Sequence, residues 1–286
     1  MTVHSFTEHR IAVENGSVYA RDYPGDAPAF VLMHGFPDNL HIYDDLIPSL
    51  VAAGRHVVAF DFLGFGASDK PGKGYSFAQQ MGDLEAVVAA LKLDRVIPVA
   101  HDSSGPTGIN YALAHPDRVA SLAILNSAYD DAFPVLWPEL VELFATKAFG
   151  ALAMGVAQSP EQFGWILAWQ QEQFRKAMPE HLHEHFSTVM GPLIADNFLK
   201  AGSGTAFAHL AAQFHDELER NSRRLPELAS LEVPVKVIWG QFDPYLTTEL
   251  GQDRASHFSH ASFHPVPAGH WLQSDLPEAV ARELLA

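Results

Sequence analysis

The chain has no cysteine, so neither disulfide staples nor thiolate metal sites contribute to it. It is also poor in cations: 18 Lys and Arg stand against 34 Asp and Glu, a formal net charge of −16 at pH 7. A phosphate backbone or an anionic membrane surface would be repelled, so neither nucleic acid nor membrane is expected as a partner. No uninterrupted apolar stretch reaches membrane-spanning length, and Met1 to Arg10 lacks the apolar heart of a signal peptide. Internal repeats and low-complexity tracts are missing too. The expectation is a cytoplasmic chain with a small-molecule partner. Its 286 residues, 48% of them hydrophobic, suffice for one large core carrying an inserted piece. No metal or cofactor is called for, and the oligomeric state is not legible.

Strand-like and helix-like stretches alternate through the first half. Thr7–Val13 and Ser17–Tyr23 alternate in polarity on either side of Glu14-Asn15-Gly16, which predicts a hairpin. Phe30–Met33 reads as a short apolar strand ending at His34-Gly35-Phe36-Pro37. Leu40, Tyr43, Leu46, Ile47 and Leu50 recur at helical spacing, and Gly54 closes that helix. Val57–Phe60 predicts a strand that runs into a glycine-punctuated loop, Asp61–Ser68, and Ser76–Leu91 predicts a helix. Val96, Ile97 and Val99 form the next strand, Pro106–His115 a helix, and Val119–Leu125 a strand ending at Asn126. Such alternation implies an α/β fold, a mostly parallel sheet covered on both faces, with its site at the carboxyl ends of the strands. The rhythm stops near Tyr129. Up to about Leu225 only helical segments rich in Trp, Phe, Leu, His and Ala occur. Strands resume with Val235–Trp239 and Phe263–Val266, and Pro277–Leu285 closes the chain as an amphipathic helix. The organisation expected is a core of residues 1–128 and 226–286 interrupted by a helical cap, 129–225.

Polar residues cluster where strands end. His101-Asp102-Ser103-Ser104-Gly105 is a strand-to-helix turn crowded with small residues, the layout of an elbow that lifts one side chain above the sheet. Such a turn needs small residues two before and two after the lifted one. Centring on Asp102 puts Ala100 and Ser104 there, whereas centring on Ser103 puts His101 at one of them, a poor fit. Asp102 is therefore the candidate nucleophile and Ser103 the second choice. Asp243 and His270 follow two later strands, and parallel strands bring their ends to one edge. His270 can exchange a proton near neutrality and is the candidate general base; Asp243 would accept its other ring N–H. The turn at Phe36 would aim that residue's backbone N–H, with that of Ser103, at an oxygen acquiring charge. Each piece has a plain structural explanation: Asp and Ser cap helices, Asp243-Pro244 is an ordinary turn, and the chain has 16 histidines. Their conjunction, each after its own strand, carries the catalytic reading.

His34-Gly35-Phe36-Pro37-Asp38, Asp61–Asp69, Ala100-His101-Asp102, Trp239-Gly240-Gln241-Phe242-Asp243 and Gly269-His270-Trp271-Leu272-Gln273 together resemble the α/β-hydrolase superfamily. The branch they look most like is that of epoxide hydrolases and haloalkane dehalogenases, whose elbow residue is Asp. Similarity covers Phe30 to Tyr129 and Leu231 to the C-terminus. The resemblance implies attack by Asp102 on an epoxide or halogen-bearing carbon, an alkyl-enzyme ester, and its hydrolysis by water that His270 activates.

The departures matter as much as the match. Ser103 stands where the resembling dehalogenases carry a halide-binding Trp, and Phe36 where many carry Asn. Epoxide hydrolases rely on two cap tyrosines, yet between Asp130 and Leu225 there is no tyrosine. A substitute donor is expected in the cap, from Trp137, Trp165, Trp169, His209 or His215. Trp165 and His215, with His34 and Trp271, are the candidate substrate-binding residues. The expected activity is epoxide-hydrolase-like on a small to medium apolar substrate. A dehalogenase with another halide site, an esterase or lactonase, and a non-catalytic ligand-binding homologue are the alternatives.

Overall fold

The apolar run Phe30–Met33 lies at the middle of the sheet in the computed structural model, which describes residues 5–199 and 203–286. Within those residues eight strands form one sheet: β1 (Thr7–Val13), β2 (Gly16–Tyr23), β3 (Asp26–Met33), β4 (Arg55–Asp61), β5 (Val96–Asp102), β6 (Leu122–Ser127), β7 (Val235–Gly240) and β8 (Ala261–Val266). Their order is β1-β2-β4-β3-β5-β6-β7-β8. The first two pairings, β1 with β2 and β2 with β4, are antiparallel, and every later one is parallel. Val31, Leu32 and Met33 on β3 and Val99 and Ala100 on β5 are fully buried, which explains their unbroken apolar sequence: a parallel strand is covered on both faces.

Helices α1 (Ile47–Ala52), α2 (Phe77–Ala90) and α3 (Gly105–Ala114) connect the first parallel strands. The Ser76 side chain caps α2 by accepting from Gln79 N at 3.0 Å. Between β6 and β7 the described chain builds helices and no strand: α4 (Glu139–Ala145), α5 (Gly150–Gln158), α6 (Pro160–Ala177), α7 (Glu180–His185), α8 (Gly191–Leu199), α9 (Ser203–Ala211), α10 (Phe214–Ser222) and α11 (Leu225–Leu228). The last three are α12 (Thr248–Ser256), α13 (Leu272–Asp275) and α14 (Pro277–Leu285). Phe36, on the turn after β3, meets Phe207 of α9 and Phe214 of α10 edge-on, at 5.4 and 5.8 Å between ring centres. Each such aromatic pair contributes about 0.5–1.5 kcal/mol beyond its area burial.

Two expected elements differ. The single helix from Leu40 to Leu50 is a 3₁₀ turn, Leu40–Tyr43, followed by the separate α1. Pro48 explains the restart, because it lacks an N–H and favours a helix's first turn. The sixth strand begins at Leu122, not Val119, because Pro116–Arg118 forms a 3₁₀ turn and Val119 makes only an isolated bridge to Val96. No single helix among the described residues is long and apolar enough to cross a membrane.

Candidate active site

The sheet sets the site's position. β4 lies on one side of β3 and β5 on the other, so the turns leaving β3 and β5 diverge and open a crevice at their carboxyl ends. Asp102 ends β5 at φ +53°, the left-handed region that costs a non-glycine residue energy and that an elbow imposes. Ala100 is small for a visible reason: α3 packs so near that a Cβ on Gly108 would come within 2.9 Å of the Ala100 methyl. Ser104 ties the bend, its Oγ accepting from His101 N at 2.9 Å. Gly35 lies against the Asp102 carboxylate, where any Cβ would overlap it.

Asp102, Asp243 and His270 come together as the sequence predicted. His270 Nδ1 and Asp243 Oδ2 are 2.6 Å apart, and His270 Nε2 stands 3.8 Å from Asp102 Oδ1. Asp243 is fixed by four donors: Nδ1 of His270, Nδ2 of Asn126 at 2.8 Å, and the N–H groups of Tyr245 and Leu246 at 3.0 Å each. Phe36 N–H bonds Asp102 Oδ2 at 3.1 Å and Ser103 Oγ at 2.9 Å. The Ser103 N–H also bonds the Asp102 carboxyl. Both predicted oxyanion donors thus converge on one carboxylate.

Burial by itself would strip the proton from His270. Asp243, with Asp102 and Asp38 behind it, outweighs that and pushes the imidazole up to about 9. The Asp102 carboxyl is raised by burial, against the pull of His270 and the two N–H groups. Asp38 is a third carboxylate, to which the sequence pattern alone assigns no role. It is 1% exposed, and its Oδ2 accepts from the Trp271 indole N–H at 2.9 Å. Burial and the Asp102 charge raise it to about 7. The signal that could have found it is its position, an acid directly after His-Gly-Phe-Pro.

Asp102 and His270 line a cavity walled mainly by apolar side chains, among them Phe36, Trp137, Leu167, Phe174, Phe207 and Trp271. About 60 Å³ is open to the centre of a water-sized sphere. So small a space suits a ligand of few heavy atoms. Its uncharged polar lining includes Tyr245, Gln170 and Gln171. The Tyr245 hydroxyl donates to Glu139 Oε2 and accepts from Gln170 Nε2, each at 2.6 Å. Tyr245 comes from the loop after Asp243, beyond the tyrosine-free stretch, and Gln170 from α6.

Of the weaker candidates, Trp271 and Trp137 line the cavity and the rest do not. Trp165 is 67% exposed. The inward face of α6 is Leu167, Gln170 and Phe174, and this spacing turns Trp165 and Trp169 away. His215 is partly exposed and pairs with Glu142 at 3.2 Å. His209 rests against Tyr75. His34 is wholly buried beneath the turn, where its Nε2 accepts from Phe62 N at 3.1 Å and its Nδ1 lies 2.6 Å from Gly35 O. It ties two loops together and does not reach the cavity. Among the described residues no group of three or more His, Asp or Glu is arranged to hold a metal ion.

An elbow, an acid and a histidine on the carboxyl edge of such a sheet define a class. Residues 28–277 match the family model for the alpha/beta hydrolase fold, so the chain belongs to that family and is a hydrolase-family enzyme. It is 41% identical over 107 residues to a fluoroacetate dehalogenase from Burkholderia sp, a match spanning 36% of this chain and 35% of that one. It is 28% identical to epoxide hydrolase A of Mycobacterium tuberculosis (strain ATCC 25618 / H37Rv), across 92% of this chain and 90% of that one. A hydrolase from Pseudomonas aeruginosa PA01 shares the fold, with a TM-score of 0.77 at 22% identity over 99% of this chain and 98% of that one.

Proposed function

We propose that the chain opens small, neutral, apolar epoxides through a covalent ester on Asp102. The observation that carries the reading is the disposition of one carboxylate: Phe36 N–H holds Oδ2 while Oδ1 stands by His270 and the side chain lines the cavity. Ser103 is 1% exposed, is tied through Oγ to Phe36 N–H and is absent from the cavity wall. Asp102 is therefore favoured over a serine route to esters or lactones. The reading takes residues 1–128 and 226–286 as the core and 129–225 as its cap, because only helices fill the described chain between β6 and β7.

A carboxylate needs no deprotonation before it attacks saturated carbon. Oδ1 of Asp102 bonds to a ring carbon as the carbon–oxygen bond of the epoxide breaks. Tyr245 and Gln170, the polar pair in the same cavity, are assigned to the oxygen so released, in place of two cap tyrosines, and the His270 imidazolium gives that oxygen the proton that makes it a hydroxyl. Esterification removes the Asp102 charge that helps to keep a proton on His270, so the imidazole becomes a better base for the next step. Water gives a proton to His270 and attacks the Asp102 carboxyl carbon. The Phe36 and Ser103 N–H groups stabilise the oxyanion, an effect of about 3 kcal/mol per donor. In the collapse the proton of the added hydroxyl passes to the departing oxygen, which releases the diol and restores the carboxylate and the protonated His270.

Dehalogenation is the second reading, favoured by the matching segment of the fluoroacetate dehalogenase. Fluoroacetate is an anion, however, and among the described residues no Lys or Arg lines the cavity, so a neutral haloalkane suits this chain better. The test is a panel of 1,2-epoxybutane, 1-bromobutane and 4-nitrophenyl acetate with Asp102→Ala beside the unaltered enzyme. Diol formation that Asp102→Ala abolishes supports the proposal. Halide release without diol favours the second reading, and ester turnover that survives Asp102→Ala defeats both.

A further inference from the structure

Asn197 belongs to α8, yet its side chain bonds core loops. Its Oδ1 accepts from Gly66 N at 3.1 Å, and its Nδ2 donates to Asp38 O at 2.7 Å and to Pro37 O. It is 1% exposed. Both amide protons therefore go to successive carbonyls of the turn whose Phe36 N–H bonds Asp102. That turn has little bonding of its own: proline has no N–H, and Asp38 N reaches Gly35 O only at 3.3 Å. A buried carbonyl left without a donor is costly, so the amide keeps the turn in one geometry.

We propose that Asn197 is a positioning residue for ester breakdown, holding the turn so that Phe36 N–H faces the oxygen that turns negative when water attacks the ester. The inference rests on the Asp102-ester reading. In the first half-reaction the Asp102 carboxylate loses charge as the ester forms, so a misaligned Phe36 N–H does not retard it. In the second, charge builds on the carboxyl oxygen and the aim of the N–H decides the rate. Loosening the turn slows ester hydrolysis selectively.

The experiment compares Asn197→Ala with unaltered enzyme and with Gln213→Ala, using 1,2-epoxybutane. Gln213, in the turn before α10, also ties the chain between β6 and β7 to the core, through Nε2 to Tyr75 O at 2.9 Å, but its side chain neither bonds the turn after β3 nor lines the cavity. Asn197→Ala is expected to lose roughly tenfold in kcat, less than the ~10²–10³-fold of deleting a donor outright. KM should fall with it, and rapid-quench mass spectrometry should find the Asp102 ester accumulating. Gln213→Ala should keep the normal kcat, KM and ester level. If Asn197→Ala does not fold, as judged by near-ultraviolet circular dichroism, Asn197→Ser is read in its place. Unchanged kcat, equal slowing of ester formation and breakdown, or the same kcat and KM change in Gln213→Ala overturns the inference alone. No ester in any of these proteins, nor in His270→Gln, overturns the Asp102 reading and this inference with it.

Discussion

The two walls of the cavity are built from different chemistry. The wall made by the ends of β3, β5, β7 and β8 carries charge: Asp102, Asp243 and His270, with Asp38 behind them. The wall made by the chain between β6 and β7 contributes Trp137, Leu167, Phe174, Phe207 and Phe214, with amides such as Gln170 as its polar groups. On the proposed reading bond making belongs to the first wall, and the second excludes water and sizes the substrate. Excluding water strengthens the fields among the carboxylates and the imidazole, so the apolar wall sharpens the charged one.

The largest expected effect comes from the charged wall. Asp102→Ala should lower turnover of 1,2-epoxybutane by at least ~10³-fold, measured as diol formed, because the groups of a catalytic unit fail together. Tyr245→Phe crosses the divide, since its hydroxyl joins Glu139 and Gln170 of the helices to the loop after Asp243. It should lower kcat/KM about tenfold and cost ~1–3 kcal/mol of stability by leaving the buried Gln170 amide short of a partner. A normal kcat/KM in that variant would remove Tyr245 from the reaction.

Asp38→Asn tests how far the charge extends. Folding raises His270 from its ordinary 6.5 to about 9, so its stabilisation is full below pH 6.5 and fades as pH rises through 9. Asp38 rises from 3.8 to about 7, so its contribution is full below pH 3.8 and fades as pH rises through 7. The variant should lose the lower of these two windows in a plot of Tm against pH. Its kcat should also climb at lower pH than in the unaltered enzyme, because one carboxylate that keeps a proton on His270 is gone. An unmoved kcat profile would show that Asp38 does not act on His270.

The smallest effects contrast two tryptophans from the helical segment. Trp137→Ala should raise KM about tenfold by removing apolar area from the cavity, worth ~1–3 kcal/mol. Trp165→Ala should stay within ~0.5 kcal/mol in both stability and kcat/KM, as a substitution away from packing and site does. Steady-state kinetics on the pair checks it, and equal effects would erase the distinction between the walls.

The same contrast explains what could be read from the sequence. Asp102, Asp243, His270 and Phe36 each follow a strand, and strand ends are local features that apolar runs and glycine-rich turns announce. The order of those strands puts their ends together by the rules of parallel sheets. The helices carry no such marker. Trp165 and Trp169 share a helical spacing with Leu167, Gln170 and Phe174, and only packing chose which face turned inward. Gln170 and Asn197 are single polar residues in apolar company, and nothing local says that one meets Tyr245 and the other the turn after β3. Tyr245 stands two residues past Asp243, outside the stretch in which the resemblance implies tyrosines.

The central claim is that substrate carbon is joined to Asp102 and that water attacks the carboxyl carbon, not the substrate. A single turnover of 1,2-epoxybutane in ¹⁸O-water, with enzyme in excess, tests it most directly. The account predicts a diol without label and one ¹⁸O in the Asp102 carboxylate, found by peptide mass spectrometry. Label in the diol with Asp102 unlabelled would mean that water attacks the epoxide itself, and would contradict the account.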